Sequence, residues 1–462
     1  MTPVDIQLLA TAAGGVLLLV VLIVSRIRLH PLLALLITSL GVGIAAGMPT
    51  GAVLKSIETG AGHTLGAVGL VVALGAMLGK ILADAGVTEG ISELILSRTS
   101  VRLLPWAMAG AAFVIGIPMF FEVGLVVLLP LVFSVARKLE ASSAIRGSAY
   151  VYVGVPVIAA LASMHGMVPP HPGPLTSIAA LNANVGATML YGFIAAIPAI
   201  VLGGPFYGAL VAPRMSVRPD RTLLDEFAAK PAGRGTAAAP GLGLGLLATL
   251  LPALLMLLNA LAELAFSEGS AVLHLTSFVG NPVMAMLLGV LFASVTLVLA
   301  RGGASEALRN SLSASVKAVA NVLLIIAGGG AFQRVLTDAK VGDAILHVSQ
   351  QFSLSPLVLG WSISMLLSVS TGSATVGIVG ASGLLAPLVA SGADVNASLL
   401  ALSIGCGSLF FNYANHAGFW LVKESFGMSM GEATATISVI QSIVSVVGLA
   451  MVLLMNLLPP LV

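Results

Sequence analysis

Two stretches of this chain place polar chemistry inside long apolar runs. SMHGMVPPHPGPLTS, residues 163–177, carries four prolines and two histidines, and NYANHAG, residues 412–418, carries Asn412, Asn415 and His416. Pro169, Pro170, Pro172 and Pro174 remove four backbone donors, so the residues between them cannot hold a helix. At membrane depth such backbone is tolerated only where it lines a polar cavity or is buried in protein. Interrupted helices offer free amides and positive dipole ends, which attract anions. His171 and His416 occupy corresponding places in the two breaks. Each either holds substrate oxygens, joins a proton path, or is a hydrogen-bonded structural residue. His165 is a weaker candidate of the same kind.

Glu122, in IPMFFEVGLVV, is the acid set in the middle of an apolar run among the 18 of the chain. An ionised carboxylate is costly there, which suits a group that takes up and releases a proton with a substrate. The alternative is a structural acid tied to a backbone amide or hydroxyl. Ser370, Thr371, Gly372 and Ser373 form a polar break in a second apolar segment. With Gly116, Pro118, Phe121, Gly173 and the two asparagines they supply neutral hydrogen-bonding groups around the breaks. That inventory fits a small polyhydroxylated carboxylate, although serines and threonines in spans also serve as helix-packing glue. The candidate substrate-binding residues are therefore Gly116, Pro118, Phe121, His171, Gly173, Ser370, Thr371, Gly372, Ser373, Asn412, Asn415 and His416. Glu122 and His171 are the candidates for proton coupling.

The elements that must position these residues follow from composition. Of 462 residues, 58% are hydrophobic and 8% charged, against roughly 25% charged in soluble domains. With a mean hydropathy of +1.09, the chain reads as an all-α polytopic membrane protein. The single cysteine, Cys406, excludes an internal disulfide. There is no phosphate-binding loop, nucleic-acid footprint or lipidation signal, and no cofactor is implied. Arg26 and Arg28 follow the first apolar run, so it reads as an uncleaved span.

About ten spans are expected, near 6–25, 31–48, 66–84, 149–168, 186–212, 241–266, 281–300, 314–336, 396–418 and 434–458. Segments 103–136 and 354–390 are expected as re-entrant hairpins. In 103–136 the Gly116-Ile117-Pro118 break leaves limbs that reach roughly 20–27 Å, short of a 30 Å hydrocarbon core. One side then receives Arg26, Arg28, Arg98, Arg102, Arg137, Lys138, Arg146, Arg214, Arg218, Arg221, Lys230, Arg234, Arg301, Arg309 and Lys423. The other receives Lys55 and Lys340. The positive-inside rule makes the first side cytoplasmic and puts both termini outside.

The halves also match. GAMLGKILADAGV, residues 75–87, lies over GGAFQRVLTDAKV, residues 329–341; LLPLV at 128–132 lies over LAPLV at 385–389. His171-Pro172-Gly173 lies over His416-Ala417-Gly418. The expected organisation is a first repeat at 1–212, with a broken span at about 149–175. A cytoplasmic linker covers 213–240, and an inverted second repeat covers 241–462, with a broken span at about 396–418. Short interrupted segments in matching positions of two halves point to a transporter's binding site. Lys80–Asp84 and Arg334–Asp338 read mainly as structural i, i+4 pairs.

GIPMFFEVGLVVLLPLV, VPPHPGP and AGFWLVKESFGMS together resemble the gluconate:proton symporter (gluconate permease) family, within a larger ion-transporter superfamily. The resemblance spans nearly the whole chain. It implies uptake of gluconate or a related sugar acid with protons across a bacterial inner membrane. It also implies a homodimer-forming scaffold and an elevator-like moving domain, with lipid and a small sugar acid as the partners. The family commonly reads Asn-Asp-x-Gly-Phe-Trp where this chain has Asn415-His416-Ala417-Gly418-Phe419-Trp420. D-serine, glycerate and other hydroxy acids stay open as substrates. A sodium-coupled carboxylate transporter is the alternative within the class. An intramembrane enzyme lacks its metal or dyad signature here, and a channel would want a continuous polar path.

Overall fold

The computed structural model describes residues 3–26, 28–87, 99–117, 121–141, 145–219, 241–266, 269–302, 304–341, 344, 355–413 and 416–460. Every regular element among them is helical. In chain order the longer ones are α1 (Pro3–Val24), α2 (Pro31–Ala45), α3 (Thr50–Thr64) and α4 (Leu70–Asp84). There follow α5 (Leu104–Gly116), α6 (Phe121–Ala141), α7 (Ala149–Met167), α8 (Pro172–Leu181) and α9 (Val185–Val201). The second half holds α10 (Leu242–Ala265), α11 (Ala271–Val279), α12 (Pro282–Ala293) and α13 (Ser305–Asp338). It closes with α14 (Pro356–Thr371), α15 (Ala374–Ala390), α16 (Ala397–Gly407), α17 (Ala417–Phe426) and α18 (Val439–Met455).

Local chemistry explains most of the boundaries. Prolines stand in the first turn of α2, α8, α12 and α14, where a missing N–H costs nothing. Ser148, Asn184, Ser270, Asn281 and Asn396 cap α7, α9, α11, α12 and α16 by accepting a first-turn amide. A π-turn at Leu65–Gly69 joins α3 to α4, so Thr50–Asp84 runs as one long element.

Among the described residues, six stretches are long and apolar enough to cross a bilayer: Pro3–Ile23, Ala149–Leu181, Val185–Arg214, Gly243–Glu263, Pro282–Arg301 and Met430–Met455. Five shorter apolar helices accompany them, among them both limbs of the 356–390 hairpin. The chain is thus a multi-pass membrane protein. The first span is only 18% buried while Ala149–Leu181 is 89% buried, so α7 and α8 form the centre and α1 lies at the rim.

Several boundaries differ from expectation. Helix α3 begins at Thr50 rather than near residue 66, because Lys55 and Glu58 lower hydropathy without breaking the helix. The two broken spans continue further than 175 and 418. Each resumes as a ten-residue helix, to Leu181 and to Phe426, and those lengths are too short for a span-sized hydropathy window to register. The short α11 was not anticipated. Within the expected linker, residues 220–240 lie outside the described residues.

Helices α2, α3, α4, α10, α12 and α13 pack among themselves, and α5 to α9 pack with α14 to α18. The two groups meet mainly where α13 crosses α15. Helix α13 and the α3–α4 element run antiparallel. Ser56 Oγ donates to Asp338 Oδ2 at one end (2.6 Å), and Ser311 Oγ donates to Asp84 Oδ2 at the other (2.5 Å). Along α13, Gly328 faces Leu35 of α2, Gly329 faces Val379 of α15, and Gly330 faces Gly60 and Thr64 of α3.

At the centre, α7 crosses α16 at Gly166 and Gly405. A side chain on Gly405 would run into the Gly166 carbonyl, and one on Gly166 would begin 2.9 Å from the Gly405 carbonyl. Backbone cannot swing aside as a flexible side chain can, so both positions require glycine. Gly405→Val should therefore cost about 1–3 kcal/mol or more of stability. Gly62→Ala, an exposed position inside the helix with nothing within 4 Å of the added carbon, should instead stabilise by about 0.5–1 kcal/mol. Thermal unfolding of the purified variants in detergent checks both.

Candidate functional site

The tip between α5 and α6 touches the start of both resumed half-helices. Helix α5 ends at Gly116, whose carbonyl accepts a hydrogen bond from His171 Nε2 at 3.0 Å. Phe121 opens α6 and is buried, with Cε1 3.1 Å from where a side chain on Gly418 would begin. Glu122 follows in the first turn of α6. Its side chain, like Pro118, lies outside the described residues.

His171 is the N-cap residue of α8, yet its side chain does not cap that helix. The ring instead reaches Gly116 and meets His165 edge to face, with centroids 5.4 Å apart. Gly173 lies in the first turn of α8 against Ile378 of α15. One turn on, Ser382 Oγ of α15 donates to Ser177 Oγ of α8 at 2.9 Å. The far end of α8 is tied to α13, where Gln333 Nε2 donates to the Ala180 carbonyl at 2.9 Å.

His416 is the N-cap residue of α17 and does cap it: Nδ1 accepts from the Gly418 amide at 3.1 Å. Between α16 and α17 the chain turns through Phe411, which has φ +46°. A left-handed aromatic residue costs roughly 1–2 kcal/mol, and two serines flanking the start of α18 hold it there. Ser442 Oγ accepts from the Phe411 amide (3.1 Å), and Ser438 Oγ donates to the Asn412 carbonyl (2.6 Å). Asn412 is buried; its Oδ1 accepts from Ser368 Oγ of α14 at 3.1 Å, and Ser368 also donates to the Ser408 carbonyl at 2.6 Å. Asn412 Nδ2 donates to that same carbonyl at 3.3 Å.

At the tip of the second hairpin, Gly372 has φ +71° and its amide donates to the Ser368 carbonyl at 2.8 Å. Only glycine enters that region without a side-chain clash. Ser373 caps α15 by accepting from the Val376 amide at 3.3 Å. The side chains of Ser370 and Thr371, and all of Asn415, lie outside the described residues.

The structure thus gathers Gly116, Phe121, His171 and His416 around one tip. It joins Asn412 to the second hairpin through Ser368 and sets Gly173 against α15. Ser368, Ser408 and Ser438 were not singled out from the sequence. Ser368 stands two residues before the flagged Ser370–Ser373 run and could have been included, whereas Ser438 carries no local signal. The site offers imidazoles, hydroxyls, an amide and helix N-termini, a set that receives an anion without a fixed positive side chain. Among the described residues no cluster of three or more His, Cys, Asp or Glu could hold a metal ion.

Comparison with known proteins covers nearly the whole chain. The family model described as GntP family permease matches residues 6–458. The gluconate permease of Pseudomonas aeruginosa is 39% identical over 453 residues, covering 98% of each chain. The high-affinity gluconate transporter of Escherichia coli is 39% identical over 448 residues, covering 97% of this chain and 99% of its own. Among solved structures, the YdaH transporter of Alcanivorax borkumensis superposes with a TM-score of 0.56 over all of both chains at 14% identity, a likeness of fold.

Because the Asn412 side chain bonds both the Ser368 hydroxyl and the Ser408 carbonyl, Asn412→Leu should lose two buried hydrogen bonds at a cost of about 1–3 kcal/mol. The check is thermal unfolding of the variant beside Ser391→Ala, whose hydroxyl bonds only within its own helix turn.

Proposed function

The chain belongs to the GntP family of permeases, and from that premise we propose that it imports gluconate or a related sugar or hydroxy acid by proton symport. The observation that carries this reading is full-length kinship with two proteins whose names specify gluconate. The arrangement of the site supports it. Two half-helices begin at His171 and His416 beside a single tip, and neutral donors surround them. A carboxylate is held there by amides and dipole ends, and its hydroxyls by imidazole, serine and asparagine.

Glu122 and His171 are the proposed proton carriers, placed at the start of α6 and the start of α8. A monovalent acid entering with one proton moves no net charge. Each further proton adds about 2.3 kcal/mol per 100 mV of membrane potential.

The proposed mechanism is alternating access by an inverted repeat. What supports the inversion is the antiparallel pairing of Thr50–Asp84 with Ser305–Asp338, closed at both ends by the same Ser–Asp contact. The group containing α13 would be the fixed, dimer-forming scaffold. The group containing the hairpins and broken helices would move against it. The distribution of arginine and lysine supports an orientation with both termini outside the cytoplasm, and kinship with bacterial permeases supports a bacterial inner membrane.

The test is gluconate-driven proton entry into proteoliposomes at zero sodium, for wild type and Glu122→Gln. Wild type should acidify, and Glu122→Gln should bind gluconate while proton entry falls at least about tenfold. Uptake that requires sodium at fixed pH, with no proton movement, would sink the proton mechanism. Coupling that persists in Glu122→Gln would remove the glutamate from the path and leave His171.

A further inference from the structure

Residues 180–184 join the half-helix α8 to α9, and side chains from two helices of the α13 group hold them. The turn itself is stiff. Asn182 ends α8 with φ +50°, a left-handed conformation that asparagine tolerates, and the Ala183 amide donates back to the Ile178 carbonyl at 2.9 Å. Asn184 then caps α9. Its Oδ1 accepts from the Ala187 amide at 2.8 Å, and its carbonyl accepts from Thr188 Oγ1 at 2.7 Å.

Capping fixes the orientation of the Asn184 amide. With Oδ1 engaged, Nδ2 is left for a partner outside α9, and it donates to Glu263 Oε2 of α10 at 2.9 Å. The other carboxylate oxygen, Oε1, accepts from Asn259 Nδ2, one turn earlier on α10, at 2.7 Å. Glu263 therefore lies at the start of α9, a positive helix end that favours a carboxylate. On the other side of the turn, Gln333 Nε2 of α13 donates to the Ala180 carbonyl, one of the last-turn carbonyls that α8 cannot satisfy by itself. Helices α9 and α10 also approach closely, since a side chain on Gly186 would begin 2.5 Å from Ala260 Cβ.

These bonds differ in kind from the apolar contact of Gly329 with Val379 where α13 crosses α15. Apolar surfaces slide past one another and keep their burial, whereas a hydrogen bond of 2.9 Å is lost once its partners part by about 1 Å. Helices α8 and α9 belong to the group with the hairpins, and α10 and α13 to the group proposed as scaffold.

We propose that the α8–α9 turn is a latch: Glu263 and Gln333 hold it in the arrangement seen here, and both release it each time the moving group changes position. The inference rests on the alternating-access reading above. Helix α8 is ten residues long, about 15 Å, so one short rigid element runs from His171 at the binding site to the latch.

The experiment uses the full chain in proteoliposomes, with Asn184→Cys and Glu263→Cys together and each alone. The resident Cys406 is fully buried and stays in place. A short bis-methanethiosulfonate bridges the pair, and gluconate counterflow is read before bridging, after it, and after reduction. Bridging should cut counterflow about tenfold or more, reduction should restore it, and the same reagent should change either single variant less than about twofold. Full bridging with counterflow intact overturns the latch.

Wild type that exchanges no gluconate refutes the substrate reading instead. The latch is then read without transport, as it is where the cysteine pair is inactive before bridging. Spin labels on Lys55 of α3 and Ser391 at the end of α15, one in each group and both exposed, report the separation of the groups in wild type and in Asn184→Asp. Aspartate keeps the cap of α9 but sets a second carboxylate against Glu263. The proportion of molecules away from the wild-type separation should rise about tenfold. An unchanged distribution overturns the latch.

Discussion

A helix that stops inside a membrane protein must satisfy its own ends, because lipid offers no hydrogen bond in place of water. This chain does so twice, after Met167 and after Gly407, and the surrounding structure is arranged to meet that demand. Gly116 at the end of α5 receives the His171 ring, and Ser368, Ser438 and Ser442 secure the turn through Phe411 and Asn412. The backbones of α7 and α16 touch at Gly166 and Gly405, just before both breaks. That contact brings the two interruptions to one place, and a single tip can then serve both half-helices.

The antiparallel pair formed by α3–α4 and α13 has a different energetic character. Its two closing clusters, Lys80–Asp84–Ser311 and Arg334–Asp338–Ser56, are partly exposed. Pairs of that kind contribute about 0–1 kcal/mol each. Close approach along the helices, as between Gly60 and Gly330, carries the packing. The charged clusters fix the register of the two helices more than they stabilise it. The same α13 surface meets α15 at Gly329 and α8 at Gln333, so one helix connects the ends of the pair to the centre of the molecule.

Much of this was legible in the sequence. The interruptions near Gly116, Gly372 and Pro169–Pro172 followed from residues that lack an amide hydrogen or take a left-handed φ. Those effects act within two or three residues. The antiparallel partners Ser305–Asp338 and Thr50–Asp84 were half visible through the matched Lys80–Asp84 and Arg334–Asp338 pairs. The resumed helices α8 and α17 were missed because ten residues are too few for a hydropathy window.

What the sequence by itself determined is an all-helical membrane chain, the places where its helices stop, and the polar residues left at those stops. Local backbone chemistry decides all three. Which stops meet, and which way each ring turns, was decided only by the tertiary structure. Asn412 is held by Ser438 at a separation of 26 residues, His171 by Gly116 at 55, and Asp338 by Ser56 at 282. His171 Nε2 meets a carbonyl and His416 Nδ1 an amide, and what packs against each ring sets that difference. No pattern within either seven-residue neighbourhood contains that difference, because the distinguishing partner of His171 belongs to another helix.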